Sequence, residues 1–497
     1  MNQAVTGADL FFEAAPQVKG IVVASASLDA LFNSERILAS DGTQIFGRLH
    51  LPEYQRPYRW EAAQLERLLT DLRLFFPEDA GLLAMPTHDF YLGSIILHQQ
   101  GGSEHRRGQL NIIDGQQRLT SMALLRFLLS PGKSSPDLQF SSPESQKRIR
   151  RNLAWLEQRI LPQVDFKRVN ISLVVTRSED DAYRFFETQN TSGVPLGGAD
   201  IIKAYHLRSV PRCSQDNYAR AWEALGDLKA TVGTLMKSRH WQTLRWRDVA
   251  SDRDPMAERE EIVLELADRT LADGPDMAYG LARICRGTDG VDQQTLEPGY
   301  DLRQPLGAGI NAIRYVEHFH SLRDRWLVKR GSPGHETFDH YYKALAVDAC
   351  GSVFLRRLYD CTLLLYINRF GTSQLPEASL WLFRMTFSLR LINDVSVKEK
   401  GAQALAREHP VLDWIASSHT HEQVMDYLRK YDYPLSIEGI GPDRQSIKSR
   451  FIKSVARTLS LNLPWDDVTK MPTEYDQQLC EAFERLCGTD GVLGNRR

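Results

Sequence analysis

Asp114, Gly115, Gln116, Gln117 and Arg118 stand side by side in the stretch NIIDGQQRLT, residues 111–120. An acid, a glycine, two amides and a guanidinium in succession could serve a phosphate. The β-branched residues before them read as a strand, and the apolar spacing after them reads as a helix. A helix N-terminus offers unpaired backbone N–H groups and the positive end of its dipole, both suited to an anion. Gly115 would let the backbone come close to a ligand. Arg118 could grip phosphate oxygens with two N–H groups at once. Gln116 and Gln117 could orient a water or bind a base or sugar edge. Asp114 could accept a proton, or hold Mg²⁺ beside waters and phosphate oxygens. The plainer reading makes Asp114 a helix N-cap, Gly115 a turn residue and Arg118 a surface charge.

Three more stretches carry groups of this kind. LPEYQRPYRW (51–60) sets Gln55, Arg56, Arg59, two tyrosines and Trp60 around two prolines, which could cradle a nucleotide or simply clamp a loop. In FFETQNTSGVPLGGADIIKAYHL (185–207), Asn190 could complete a polar site and Lys203 could add a positive charge. The plainer readings are a helix C-cap for Asn190 and a solvated surface residue for Lys203. RQSIKSRFIKSVARTLSLNLPW (444–465) has five basic residues and no acid; Arg450, Lys453 and Arg457 fall on one helical face, opposite Ile447, Phe451, Val455 and Leu459. Such a face could touch DNA phosphates without reading sequence, and SQKRIRRN (145–152) is a second basic patch.

The elements that must hold these groups follow from periodicity. Strands are expected from residue 44, over 90–100, over 109–114 and over 169–175, the middle two pairing as a hairpin. Helices are expected over 61–76, 116–129, 145–161, 178–190 and 199–210. Beyond about residue 211 long helical stretches follow one another and little reads as strand. The expected architecture is therefore an α/β domain over 21–210 and a mostly α-helical region over 211–497, with a subdivision near 330 at KRGSPGHET.

Taken in order, four stretches resemble the ParB/sulfiredoxin-like N-terminal domain of GmrSD-type restriction and phage-defence proteins. They are Pro52 to Trp60, Tyr91 to Leu97, Ile113 to Thr120, and Phe186 through Asn190, Gly193, Leu196, Asp200 and Lys203. The resemblance implies nucleoside triphosphate binding and hydrolysis at Asp114–Arg118, with Gln55 and Arg56 as neighbours, in a protein that senses foreign or modified DNA and controls its cleavage. Many relatives also carry an HNH-like nuclease domain. The histidine pairs His318/His320 and His419/His421 lie outside any such sequence context, so cutting is expected from a partner protein.

Composition narrows the field. The 497 residues are too many for one typical core, and 42% hydrophobic with 25% charged residues is ordinary for a globular chain. A net charge of −2 gives no molecule-wide attraction to nucleic acid, so any DNA contact must be local. No apolar run approaches the roughly 20 residues that span a bilayer, and no signal peptide or C-x-x-C pair is evident, which suits a cytoplasmic protein with reduced thiols. Self-association into a homo-oligomer is open. No Walker-type loop is present, so triphosphate hydrolysis needs a different cradle. Two alternatives stand beside the NTP-driven sensor: a self-contained endonuclease with a metal site in the helical region, and a nucleotide- or DNA-binding module without catalysis.

Overall fold

The apolar stretches of the N-terminal half pair into one mixed five-stranded sheet. Its strands are β1 (Ile21–Ser27), β4 (Arg48–His50), β5 (Phe90–Gln100), β6 (Gln109–Asp114) and β7 (Val169–Thr176), in the order β1-β7-β5-β6-β4. β5 and β6 form the expected antiparallel hairpin, while β5 runs parallel to β7 and β4 parallel to β6. Two short strands, β2 (Ile37–Leu38) and β3 (Gln44–Ile45), pair separately. In this computed structural model residues 20–77, 88–100, 108–130, 136, 138–140, 142–178, 181–182, 198–241, 255–271, 276–286, 292–329, 331, 335–349, 352–393 and 397–488 are described. Apart from residues 178, 181 and 182, the expected helix over 178–190 lies outside the described residues, and so does the candidate Asn190.

Strand alternation buries one face of the sheet. Ala24, Ile95, Leu97, Leu110, Ile112, Ile171, Leu173 and Val175 share a core with helices α2 (Ala62–Phe75), α3 (Gln116–Leu129) and α4 (Pro143–Glu157). α2 contributes Leu65, Leu68, Leu69 and Leu72 at helical spacing, and a capping box of Glu61 and Gln64 starts it. A short α1 (Leu28–Phe32) and α4 are capped by Ser27 and Ser142. The opposite face carries polar contacts: Ser25 donates to Asn170 at 3.1 Å, Tyr91 to Ser172 at 3.1 Å, and Asn111 meets His50 at 2.9 Å. The Tyr91 phenol is held below its ordinary value by the hydrogen bond to Ser172, then by Ser94.

The chain folds as two compact units, residues 1–196 and 197–497. The helix Gly198–Arg208, assigned by sequence to the first domain, packs on helices of the second unit. That unit is mainly helical, as expected, with one exception. Tyr279–Arg286 and Asp292–Gly299 form an antiparallel β8–β9 ribbon that was not among the expected elements. The polar run DQQTLEPG lacks the β-branched pattern by which strands are recognised, so pairing across the ribbon sets its conformation.

Buried charge pairs knit the helical unit together. Arg384 donates to both oxygens of Asp476 at 2.7 and 2.6 Å and to the Tyr431 carbonyl at 2.8 Å, joining three segments. Lys237 pairs with Glu399 at 2.7 Å and Arg239 with Glu265 at 2.7 Å. Asp360 is different. Burial pushes its carboxyl up to about 6, although Tyr342 donates to it at 2.8 Å. The folded state then holds this proton more tightly than the unfolded chain, so ionised Asp360 costs stability above pH 6 and the cost fades as pH falls towards 4. Asp360→Asn is expected to raise the thermal midpoint at pH 7.5, with the gain disappearing near pH 4. Paired melting curves across that range check it.

Candidate functional site

The strand β6 ends at Asp114, and Gly115 turns the chain into α3 with φ 94° and ψ 3°. Only glycine adopts that left-handed geometry at little cost. A Cβ on Gly115 would also lie 2.3 Å from the Ile95 Cδ1 atom of β5. Gly115→Ala is therefore expected to destabilise the full chain by about 1–3 kcal/mol, read as a lower urea midpoint.

Helix α3 lacks both the capping box of α2 and the serine cap of α4. Gly115 is its N-cap, no side chain caps it, and its first turn holds no acid. Asp114 is thus not the N-cap of the plainer reading. The first intrahelical bond runs from Leu119 N–H to Gly115 O at 2.9 Å, so the N–H groups of residues 116–118 have no partner within the helix.

The two adjacent glutamines have opposite fates. Gln117 accepts from the Arg59 and Trp60 N–H groups at 2.8 and 3.2 Å and donates to the Pro57 carbonyl at 3.3 Å. Gln55 answers from the loop, donating to the Ile112 and Ile113 carbonyls at 3.0 and 2.9 Å. Tyr58, fully buried, meets Ser121 at 2.8 Å and accepts from Asn152 at 3.2 Å. The 52–60 loop is therefore locked against the strand end and α3, and Gln55 and Gln117 act as its fasteners. Arg56 is half-buried in the same loop. Gln116 is 5% exposed, yet neither its Oε1 nor its Nε2 has a hydrogen-bond partner. A buried amide left so costs about 1–3 kcal/mol.

Arg118 is fixed from three sides. Its guanidinium bonds Asp114 at 3.2 Å, the Ser94 carbonyl at 2.8 Å and the Leu92 carbonyl at 3.3 Å. The side chains of Arg118 and Asp114 remain 27% and 32% exposed. Room for the guanidinium comes from Gly93, where a Cβ would stand 2.1 Å from Arg118 Nη1. Gly93 lies at a register shift between β5 and β7. Its part was not singled out in the sequence, though its place inside the FYLGSIIL strand was the available signal.

The remaining candidates fall in the second unit. Lys203 is buried and ion-paired with Glu223, so its charge is matched inside the helical core. On the helix Ile447–Leu459, Arg450 and Arg457 are exposed and Lys453 half-buried, while Phe451, Val455 and Leu459 are buried as expected. His318 bonds Asn368 at 2.8 Å, His320 bonds Thr231 at 2.8 Å, and His421 joins Tyr366 at 2.7 Å and Glu377 at 3.2 Å. Among the described residues no three His, Cys, Asp or Glu side chains are grouped to hold a metal ion. No helix among them is long and apolar enough to cross a membrane.

The α/β domain thus presents, at one strand-to-helix turn, an acid, an orphaned amide and a fixed arginine. Residues 31–207 match the model of the GmrSD restriction endonuclease N-terminal domain, so the chain carries an N-terminal domain of the GmrSD type. It is thereby a component of a restriction or phage-defence system. Residues 214–440 match a family of unknown function (DUF7834). No curated protein matches the chain.

Proposed function

We propose that this chain is the NTP-binding and NTP-hydrolysing sensor of a DNA restriction system, with DNA cleavage performed by a nuclease partner. The observation that carries the reading is Gln116: a buried amide, without a partner, on the first residue of an uncapped helix. A polar ligand at this turn would relieve both deficits at once. Phosphate oxygens suit the free N–H groups of the first turn of α3 and the fixed guanidinium of Arg118. Asp114 would hold Mg²⁺, which when bound would neutralise phosphate charge. In hydrolysis the water oxygen would bond to the terminal phosphorus, the bond to the bridging oxygen would break with its electron pair leaving on the nucleoside diphosphate, and the water's proton would pass to a phosphate oxygen. Arg118 would stabilise the charge that develops there. Gln55 and Gln117 would act indirectly, by holding the loop that also carries Arg56.

The test is Gln116→Leu, a near-isosteric apolar replacement. Without ligand this variant is expected to be more stable than the parent, because the orphaned amide is gone. With NTP and Mg²⁺ it should lose the ligand-induced rise in melting temperature and release phosphate at least about tenfold more slowly. Phosphate release at the parent rate would sink the reading. DNA from the same tubes, run on a gel, separates the alternatives. Metal-dependent cutting without NTP turnover would favour a self-contained endonuclease, and NTP binding without turnover a non-catalytic module.

A further inference from the structure

We propose that the groove beside the helix Ile447–Leu459 binds single-stranded DNA, with one unpaired base against Trp465 and the adjoining phosphates on Lys453 and Arg457. The proposal rests on the reading that this chain contacts DNA, and not on nucleotide turnover at Asp114–Arg118.

The groove has a volume of about 680 Å³, and Pro442, Lys453, Arg457, Ser460, Asn462 and Trp465 are among the residues that line it. Its cations are of two kinds. Lys453 is held: its ammonium donates to the Pro442 carbonyl and, at 3.5 Å, to the Arg444 carbonyl, leaving a third N–H for another acceptor. The same ammonium lies 5.6 Å from the centre of the Trp465 ring, so charge and indole share one wall. Arg457 is exposed, and among the described residues neither it nor Arg450, two helical turns before it on the same face, has an acidic partner. Elsewhere in the unit several arginines are matched by acids, as Arg384 is by Asp476 and Arg239 by Glu265. A cluster of unmatched guanidiniums attracts an anion, and its spacing along the helix suits a chain of phosphates rather than one.

Trp465 decides which form of DNA. A duplex stacks its bases inside and offers a protein surface mainly phosphates, for which an indole is of little use. A strand with unstacked bases presents flat aromatic faces, and pairing such a face with an aromatic side chain flanked by cations is how single strands are held without reading sequence. The amide of Asn462 lies along the same groove and can reach a base edge. The neighbouring groove gives the path a direction: it shares Ser460 and Asn462 but carries Glu474 and Glu481 against a single Arg485, so its net negative charge disfavours phosphates. The strand is thereby confined to the side of Arg450 and Arg457.

Fluorescence anisotropy of the full chain with a labelled oligo-dT, and with a duplex of equal length, tests this. Trp465→Ala should weaken single-strand binding about tenfold and leave duplex binding within about twofold, and Trp465→Phe should restore most of the loss. Arg457→Ala should weaken the single strand and reduce the salt slope by about one. An independent reading needs no variant: 5-iododeoxyuridine in the strand should photocrosslink to the peptide that contains Trp465. Unchanged single-strand affinity in Trp465→Ala, equal loss on both forms, or crosslinks confined to other peptides would overturn the proposal. Tight duplex binding with no single-strand preference sinks it alone, whereas failure to bind either form sinks the DNA-contact reading as well.

Discussion

Arg118→Ala is expected to slow NTP turnover by about 10²–10³-fold, the usual loss when one preorganised donor to a developing charge is removed. The stability change should be small by comparison. The Arg118–Asp114 pair is about one-quarter to one-third exposed, so solvent screens it, and such pairs contribute about 0–1 kcal/mol. Its bonds to the Leu92 and Ser94 carbonyls add roughly 1 kcal/mol each at most. Catalysis and folding therefore separate: phosphate release collapses while the urea midpoint moves slightly. Arg118→Lys sharpens the test. A lysine keeps the charge but has no planar fork to reach Asp114 and two carbonyls at once, so it should recover less than about a tenth of the lost rate. If Arg118→Ala turned over within about threefold of the parent, Arg118 would be only a strut between α3 and β5.

The parts of the fold legible in the sequence were those with strong period. β5, β6 and β7, their hairpin, and helices α2 and α3 follow from alternation or from leucines at helical spacing. β1 was not legible, because its inward positions are Val22, Ala24 and Ala26, two of them too small to mark an apolar face. It is a strand through its antiparallel pairing with β7, a contact distant in sequence. The β8–β9 ribbon escaped for a similar reason. In the candidate site, the residue types of Asp114–Arg118 were plain, but the division of labour was not. Gln116 and Gln117 are chemically identical, and only the helical turn of about 100° between them sends one to the 57–60 loop and leaves the other unpartnered. Lys203 likewise looks like any basic residue on a helix until Glu223 is brought to it by the packing of the helical unit.

The role assigned to Arg118 has a second consequence, at a residue that touches no ligand. Gly93→Ala is expected to reproduce much of the Arg118→Ala loss, with turnover down by at least about tenfold. The added Cβ would stand 2.1 Å from Arg118 Nη1, and the guanidinium is the flexible partner, so it must leave its place. A second penalty is independent of Arg118: φ at Gly93 is 116°, a conformation that costs other residues about 1–3 kcal/mol. The two penalties can be told apart by a double-mutant cycle. In the parent, Gly93→Ala meets both the clash and the backbone strain; in Arg118→Ala it meets the strain alone. The double variant should therefore be no slower than Arg118→Ala, and Gly93→Ala should cost less stability in that background than in the parent. Additive losses in rate would instead mean that Gly93 serves the site by a route that bypasses Arg118, such as the course of β5 itself. Non-additivity would tie the register shift in β5 to the placement of one guanidinium, and that placement to turnover.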